Sequence, residues 1–170
     1  MRTLFLCALV FSFSGAACHP GGEYAGAGNS IVSGDVDKGE TNGRMFDFVS
    51  DKPEGDDWQI RVRGTSIWVS YTDKNGKADN RGTKALTQAE SDKLWKLVDE
   101  VDIPSRKGGK KDDDNGTVTL RLREPGDDEG DRHKIFTVYV SRDTEDDDVI
   151  AIGTYLRKLV DKHYQETPNF

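Results

Sequence analysis

Three histidines and two cysteines are the side chains in this 170-residue sequence best suited to covalent or metal chemistry. His19, His133 and His163 are far apart in the chain, and none has a serine, cysteine or second histidine at a triad or metal-site spacing. No glycine-rich phosphate loop and no G-x-S-x-G elbow occurs. What remains for catalysis is carboxylate chemistry on loops. Asp112-Asp113-Asp114-Asn115 and Asp127-Asp128-Glu129 are the densest acidic runs. Aspartate and glycine favour turns, so such runs are expected as solvated loops. Asp73 to Asn80 has the look of a calcium loop. Its glycine, Gly76, comes two places early, and the closing bidentate glutamate is missing. The sequence therefore predicts no cofactor, no metal ligand and no catalytic residue, with calcium on these loops as the lesser alternative.

Arginines and aromatics make a more specific pattern. Trp58, Ile60 and Val62 alternate with Gln59, Arg61 and Arg63, and Gly64-Thr65 then leads into Ser66 to Thr72. A two-residue II′ turn wants glycine first. A hairpin closed there pairs Val62 with Ile67, Ile60 with Val69 and Trp58 with Tyr71 on one face, and sets Trp68 opposite Arg61 on the other. The same alternation in later strands adds Thr119, Arg121, Arg123, Ile135, Thr137 and Tyr139 to the second face. Arg61, Arg63, Trp68, Arg121, Arg123 and Tyr139 are therefore the candidate partner-binding residues. Arginine and tryptophan are enriched where proteins bind tightly, and arginine forks onto carboxylates and phosphates. The plainer reading of the same residues is a solvated sheet face.

The elements that carry them follow from periodicity and caps. Arg44 to Ser50 reads as a first strand, with Phe46 and Phe48 on one side. The hairpin supplies two more. A polar loop precedes Thr87-Gln88-Ala89-Glu90, the form of a capping box. The helix it opens has a stripe of Leu94, Leu97, Val98 and Val101, with Trp95 on its flank, and Pro104 ends it. Gly116 to Arg123 and His133 to Ser141 are strands. A last helix from about Glu145 to Tyr164 carries Val149, Ile152, Leu156, Leu159 and Val160, with Asp146, Asp147 and Asp148 at its dipole-positive start. The run Leu94 to Asp99 is echoed by Leu156 to Asp161, a match that duplication or simple amphipathic convergence would each produce. The order β-β-β-α-β-β-α predicts an α+β fold, an antiparallel sheet of about five strands with both helices on one face.

The N-terminus speaks to location. Arg2 is followed by an apolar run from Leu4 to Phe13, then by Ser14-Gly15-Ala16-Ala17-Cys18. These are the charged, apolar and small-residue parts of an export signal, too short for a membrane span. With Cys18 at the junction, the segment resembles the signal peptide of a bacterial lipoprotein. The resemblance covers residues 1–18. It implies cleavage before Cys18, acylation of its sulfur with chains of the palmitate type, and anchorage in the cell envelope. His19 rather than an acid after the cysteine implies the outer membrane over the inner one. An ordinary secretory signal cut at the same small residues is the alternative. Cys7 falls in the removed segment, so the mature chain has one thiol and no internal disulfide. A blocked sulfur suits an oxidising compartment better than a free one.

Residues 18–43 then form the lipidated cysteine and a tether. Positions 19–43 hold seven glycines, and a coil of that length spans about 25–30 Å on average. Residues 44–170 are one domain, large enough for a single core. Loss of Arg2 with the signal takes the net charge from −7 to −8, which opposes binding to nucleic acid. The sequence thus predicts a non-enzymatic, membrane-anchored lipoprotein whose domain binds an envelope partner, a protein, through the arginine-aromatic face. An inhibitor or immunity lipoprotein that neutralises an enzyme is the alternative, and a hydrolase using loop carboxylates is the second.

Overall fold

The structure is a computed structural model that describes residues 43–125 and 133–170. Six strands form one antiparallel sheet: β1 (Met45–Asp51), β2 (Asp57–Arg63), β3 (Ser66–Thr72), β4 (Ala78–Ala85), β5 (Thr117–Glu124) and β6 (Lys134–Ser141). Two helices accompany it, α1 (Gln88–Val101) after β4 and α2 (Asp147–Tyr164) after β6. The spatial order is β4-β3-β2-β1-β5-β6, so β1 lies in the interior of the sheet and the α1 connection returns the chain to its free side. The α+β class agrees with the sequence reading, and the strand count does not.

The extra strand is β4. Its sequence, Ala-Asp-Asn-Arg-Gly-Thr-Lys-Ala, has no apolar alternation because it is an exposed edge with no core face to fill. Backbone pairing with β3 and tertiary contacts hold it instead. The Tyr164 hydroxyl, from the end of α2, donates to the carbonyls of Ile67 (2.7 Å) and Gly82 (2.9 Å). A register shift between Val69 and Ser70 sits at the same place, opposite Gly82. Burial pushes the Tyr164 hydroxyl pKa well above its ordinary value, which keeps it protonated as a donor.

The β2-β3 hairpin has the register that its turn residues require, from Trp58–Tyr71 to Arg63–Ser66. Gly64 has φ 52°, the positive value that the first turn position demands. Its carbonyl accepts from Ser91 Oγ (3.0 Å) and Trp95 Nε1 (3.2 Å), which docks α1 onto the hairpin tip. Trp95 is thereby 7% exposed, a core residue more than a flanking one.

Phe46, Phe48, Ile60, Val62, Ile67, Val69, Leu120 and Leu122 point to one side of the sheet and are at most 2% exposed. They join Leu94, Val98 and Val101 of α1 and Val149, Ile152, Leu156, Leu159 and Val160 of α2 in a single core. The helix starts are secured locally. Thr87 and Glu90 form the capping box, and Glu90 Oε1 also accepts from Lys162 Nζ of α2 at 2.6 Å. Asp146 caps α2 through the amides of Asp148 and Val149. Arg106 joins the two helices, donating to the Val101 carbonyl and pairing with Asp146.

Candidate binding face

Period-two alternation sends the residues between the core positions to the side of the sheet away from the helices. Register then arranges them in rows across the strands. One row reads Thr83, Trp68, Arg61, Asp47, Arg121 and Thr137. The next, toward the end where the chain enters β1, includes Ser66, Arg63, Met45, Arg123 and Ile135. A third includes Ser70, Gln59, Val49, Thr119 and Tyr139. All six candidate residues therefore share one face.

They do not share one environment. Arg61 is 5% exposed, and its Nε donates to Asp47 Oδ1 at 2.6 Å; Asp47 is itself 6% exposed. Two opposite charges so far out of water are held by their mutual attraction, because either alone would bear a large desolvation cost. Asp47 is also the register partner of Arg121 on β5, so one carboxylate sits between two guanidinium-bearing positions. Trp68 is 7% exposed and donates through Nε1 to Asn80 Oδ1 at 2.8 Å. That same oxygen accepts the Gly82 amide at 2.8 Å, tying the face to the β4 bulge. Arg61 and Trp68 thus form the buried floor, and Arg63, Arg121, Arg123 and Tyr139 are the half-buried members.

Asp47 was absent from the candidate set. The Phe46-Asp47-Phe48 alternation was the available signal: with both phenylalanines inward, the aspartate must stand among the arginines. Asn80 had no such signal, since it belongs to the strand that periodicity does not reveal.

Tyr139 lies at the β6 edge. Its amide donates to the Gly108 carbonyl at 2.8 Å, and Lys111 Nζ is 6.0 Å from its ring centroid. Gly109 makes this approach possible. It has φ +70°, and a Cβ there would sit 2.2 Å from the Tyr139 carbonyl oxygen. The segment after α1 consequently covers the β6 edge, while β4 leaves the other edge exposed.

Two of the described loop carboxylates, Asp73 and Asp112, are used internally. Asp73 Oδ1 accepts the amides of Asn75 and Lys77, each at 2.9 Å, which lowers its pKa. Asp112 accepts the amides of Asp114 (3.0 Å) and Asn115 (2.9 Å) and the Ser141 hydroxyl (2.6 Å). The Asn115 amide and then the Ser141 hydroxyl hold its pKa down at about 2. A small pocket of about 140 Å³ beside it includes Asp51, Lys52, Lys111, Asp112 and Asp113. Burial, and then the charge of Asp57, raises the Asp51 pKa. One raised and one lowered carboxyl is a pattern that acid-base enzymes use. Here the lowered member is the anchor of its own turn, so its oxygens are occupied by the fold. No group of three or more histidine, cysteine or acidic side chains among the described residues could hold a metal ion.

Of the histidines, His133 is exposed at the start of β6, and His163 Nε2 is 3.3 Å from Glu90 Oε1 at the junction of the helices. His19, Cys18, the tether and the Asp127-Asp128-Glu129 run lie outside the described residues. No helix among the described residues is long and apolar enough to cross a membrane. The chain matches no protein-family model and no curated protein sequence, so the geometry of this face stands as the ground for a functional reading.

Proposed function

We propose that this chain is a membrane-anchored lipoprotein of the bacterial envelope, without catalytic activity, whose domain binds a partner protein through the arginine-bearing sheet face. One observation carries the reading. In a chain of net charge −7, Arg63, Arg121 and Arg123 stand in adjacent rows of one face, around a floor of Arg61, Asp47 and Trp68. A local reversal of sign of this kind steers an acidic partner and sets its orientation. The lipid on Cys18 and the glycine-rich tether would hold the face within reach of the envelope, the outer membrane by the residue that follows the cysteine. An inhibitor or immunity protein would use the same face against an acidic enzyme surface.

The test is crosslinking in intact cells followed by mass spectrometry, comparing the native chain with Arg63→Glu/Arg123→Glu. Loss of the captured protein, with an unchanged thermal midpoint, supports the reading. Capture at equal yield places the partner elsewhere. Arg61 is no probe for this purpose, because Arg61→Glu would set two buried carboxylates side by side.

A further inference from the structure

The arginines of this domain are engaged where acids are near. Arg44 pairs with Asp99 and Glu124, Arg81 with Asp79 and Glu166, Arg61 with Asp47, and Arg106 with Asp146 and Asp148. Arg63 and Arg123 are different. Neither side chain has a hydrogen bond or ion pair among the described residues. Arg123 Nε is, in addition, buried without an acceptor. A buried donor of a charged group left unsatisfied is costly and needs an explanation.

The two residues belong together. Both are register partners of Met45, Arg63 from β2 and Arg123 from β5. Their backbones are therefore two strand spacings apart, about 9–10 Å, and each side chain is long enough to lean over the methionine between them. Gly43, Met45, Arg63, Arg123 and His133 line a pocket of about 340 Å³ at this end of the face. Two permanent positive charges lining one pocket, with no acid paired to either among the described residues, repel each other and suit a ligand of charge near −2. A phosphate monoester meets that demand, with about −1.5 to −2 charges at neutral pH and three acceptor oxygens. Guanidinium forks match its geometry.

We propose that Arg63 and Arg123 form a binding site for a phosphate monoester, seated over Met45. The phosphate belongs either to a small soluble molecule or to the headgroup of a phosphatidate-type lipid. The site shares the sheet face with the protein-binding reading but does not depend on it.

The test uses residues 18–170 carrying Cys18→Ser, which removes any anchor while keeping tether and domain. Arginine Nε–Hε signals are followed by nuclear magnetic resonance during titration with inorganic phosphate and with phenyl phosphate. The Arg63 and Arg123 signals should shift saturably, with a Kd of about 1 mM or tighter, and sodium chloride at equal ionic strength should give no saturation. Arg63→Gln or Arg123→Gln should each weaken binding about 10- to 100-fold, the loss of one charge-assisted contact, and Arg81→Gln should leave it unchanged. Because no partner among the described residues is lost, Arg63→Gln/Arg123→Gln should keep the thermal midpoint of the parent. Co-sedimentation with phosphatidylcholine vesicles, with and without phosphatidate, separates the two sources: phosphatidate-dependent sedimentation points to lipid, and phosphate binding without it to a soluble monoester. Absence of saturation, unaltered affinity in the double variant, or a fall in its midpoint overturns the site.

Discussion

Asp47→Ala is the substitution that asks most of the structure. It removes one carboxylate from the buried pair with Arg61 and leaves Arg61 and Arg121 facing each other across β1. Breaking a buried ion pair by deleting one partner costs about 3–5 kcal/mol, and the second arginine argues for the upper part of that range. Arg61→Met is expected to cost less, about 1–3 kcal/mol, because Asp47 keeps Arg121 as its cross-strand neighbour. Asp47→Leu/Arg61→Met removes both charges and fills the space with apolar atoms, so it should be less harmful than Asp47→Ala alone. Urea denaturation can follow the fluorescence of Trp58, Trp68 and Trp95, all at most 7% exposed. With a denaturant slope of about 2 kcal/mol/M for a domain of this size, a loss of 4 kcal/mol moves the midpoint down by about 2 M. The loss should persist in high salt, since a buried pair is poorly screened. An Asp47→Ala cost below about 1 kcal/mol, the worth of a surface pair, or strict additivity of the two single losses, would refute the argument.

Glu90 gives the pH prediction. Its pKa is held at about 2, against an ordinary 4.5, first by Lys162 and then by the Thr87 amide and hydroxyl and by His163. The folded value is the depressed one, so its stabilisation is complete above about pH 5 and disappears as pH falls toward 2. Glu90→Gln should lower stability by about 1–2 kcal/mol at neutral pH, after allowance for solvent screening, and flatten the acid limb between pH 5 and 2 in paired urea titrations. Gly109→Ala should cost at least about 1–3 kcal/mol, because the left-handed backbone and the Tyr139 carbonyl leave no room for a methyl; faster amide exchange at Tyr139 is the local readout, and unchanged exchange contradicts the contact. The intact mass of the native polypeptide should correspond to a chain beginning at Cys18 and carrying acyl groups, and Cys18→Ser should move the protein out of the membrane fraction. A different first residue, or an unmodified sulfur, removes the anchor from the proposal.

Much of the architecture was written locally. Trp58 to Thr72 specified its own hairpin because alternation, turn glycine and chain length all required one register. Thr87 and Glu90 announced α1 through the capping box, and the heptad-like spacing from Val149 to Val160 set the buried side of α2. These are short-range effects, each decided within a few residues. β4 was not of that kind. An edge strand with exposed side chains has no hydrophobic period to display, and its pairing depends on β3 and on a tyrosine 82 residues from Gly82.

The face divides the same way. Alternation alone assigned Arg61, Arg63, Trp68, Arg121, Arg123 and Tyr139 to one side of the sheet, because a strand permits only two sides. Which of them are floor and which are rim could not be read from alternation, since that depends on neighbours brought in from other strands. The interior position of β1 put Asp47 between Arg61 and Arg121, and it put Met45 between Arg63 and Arg123. Strand order is a long-range outcome of packing two helices on one apolar surface, and it decided that Arg61, of the arginines on this face, acquired the Asp47 carboxylate.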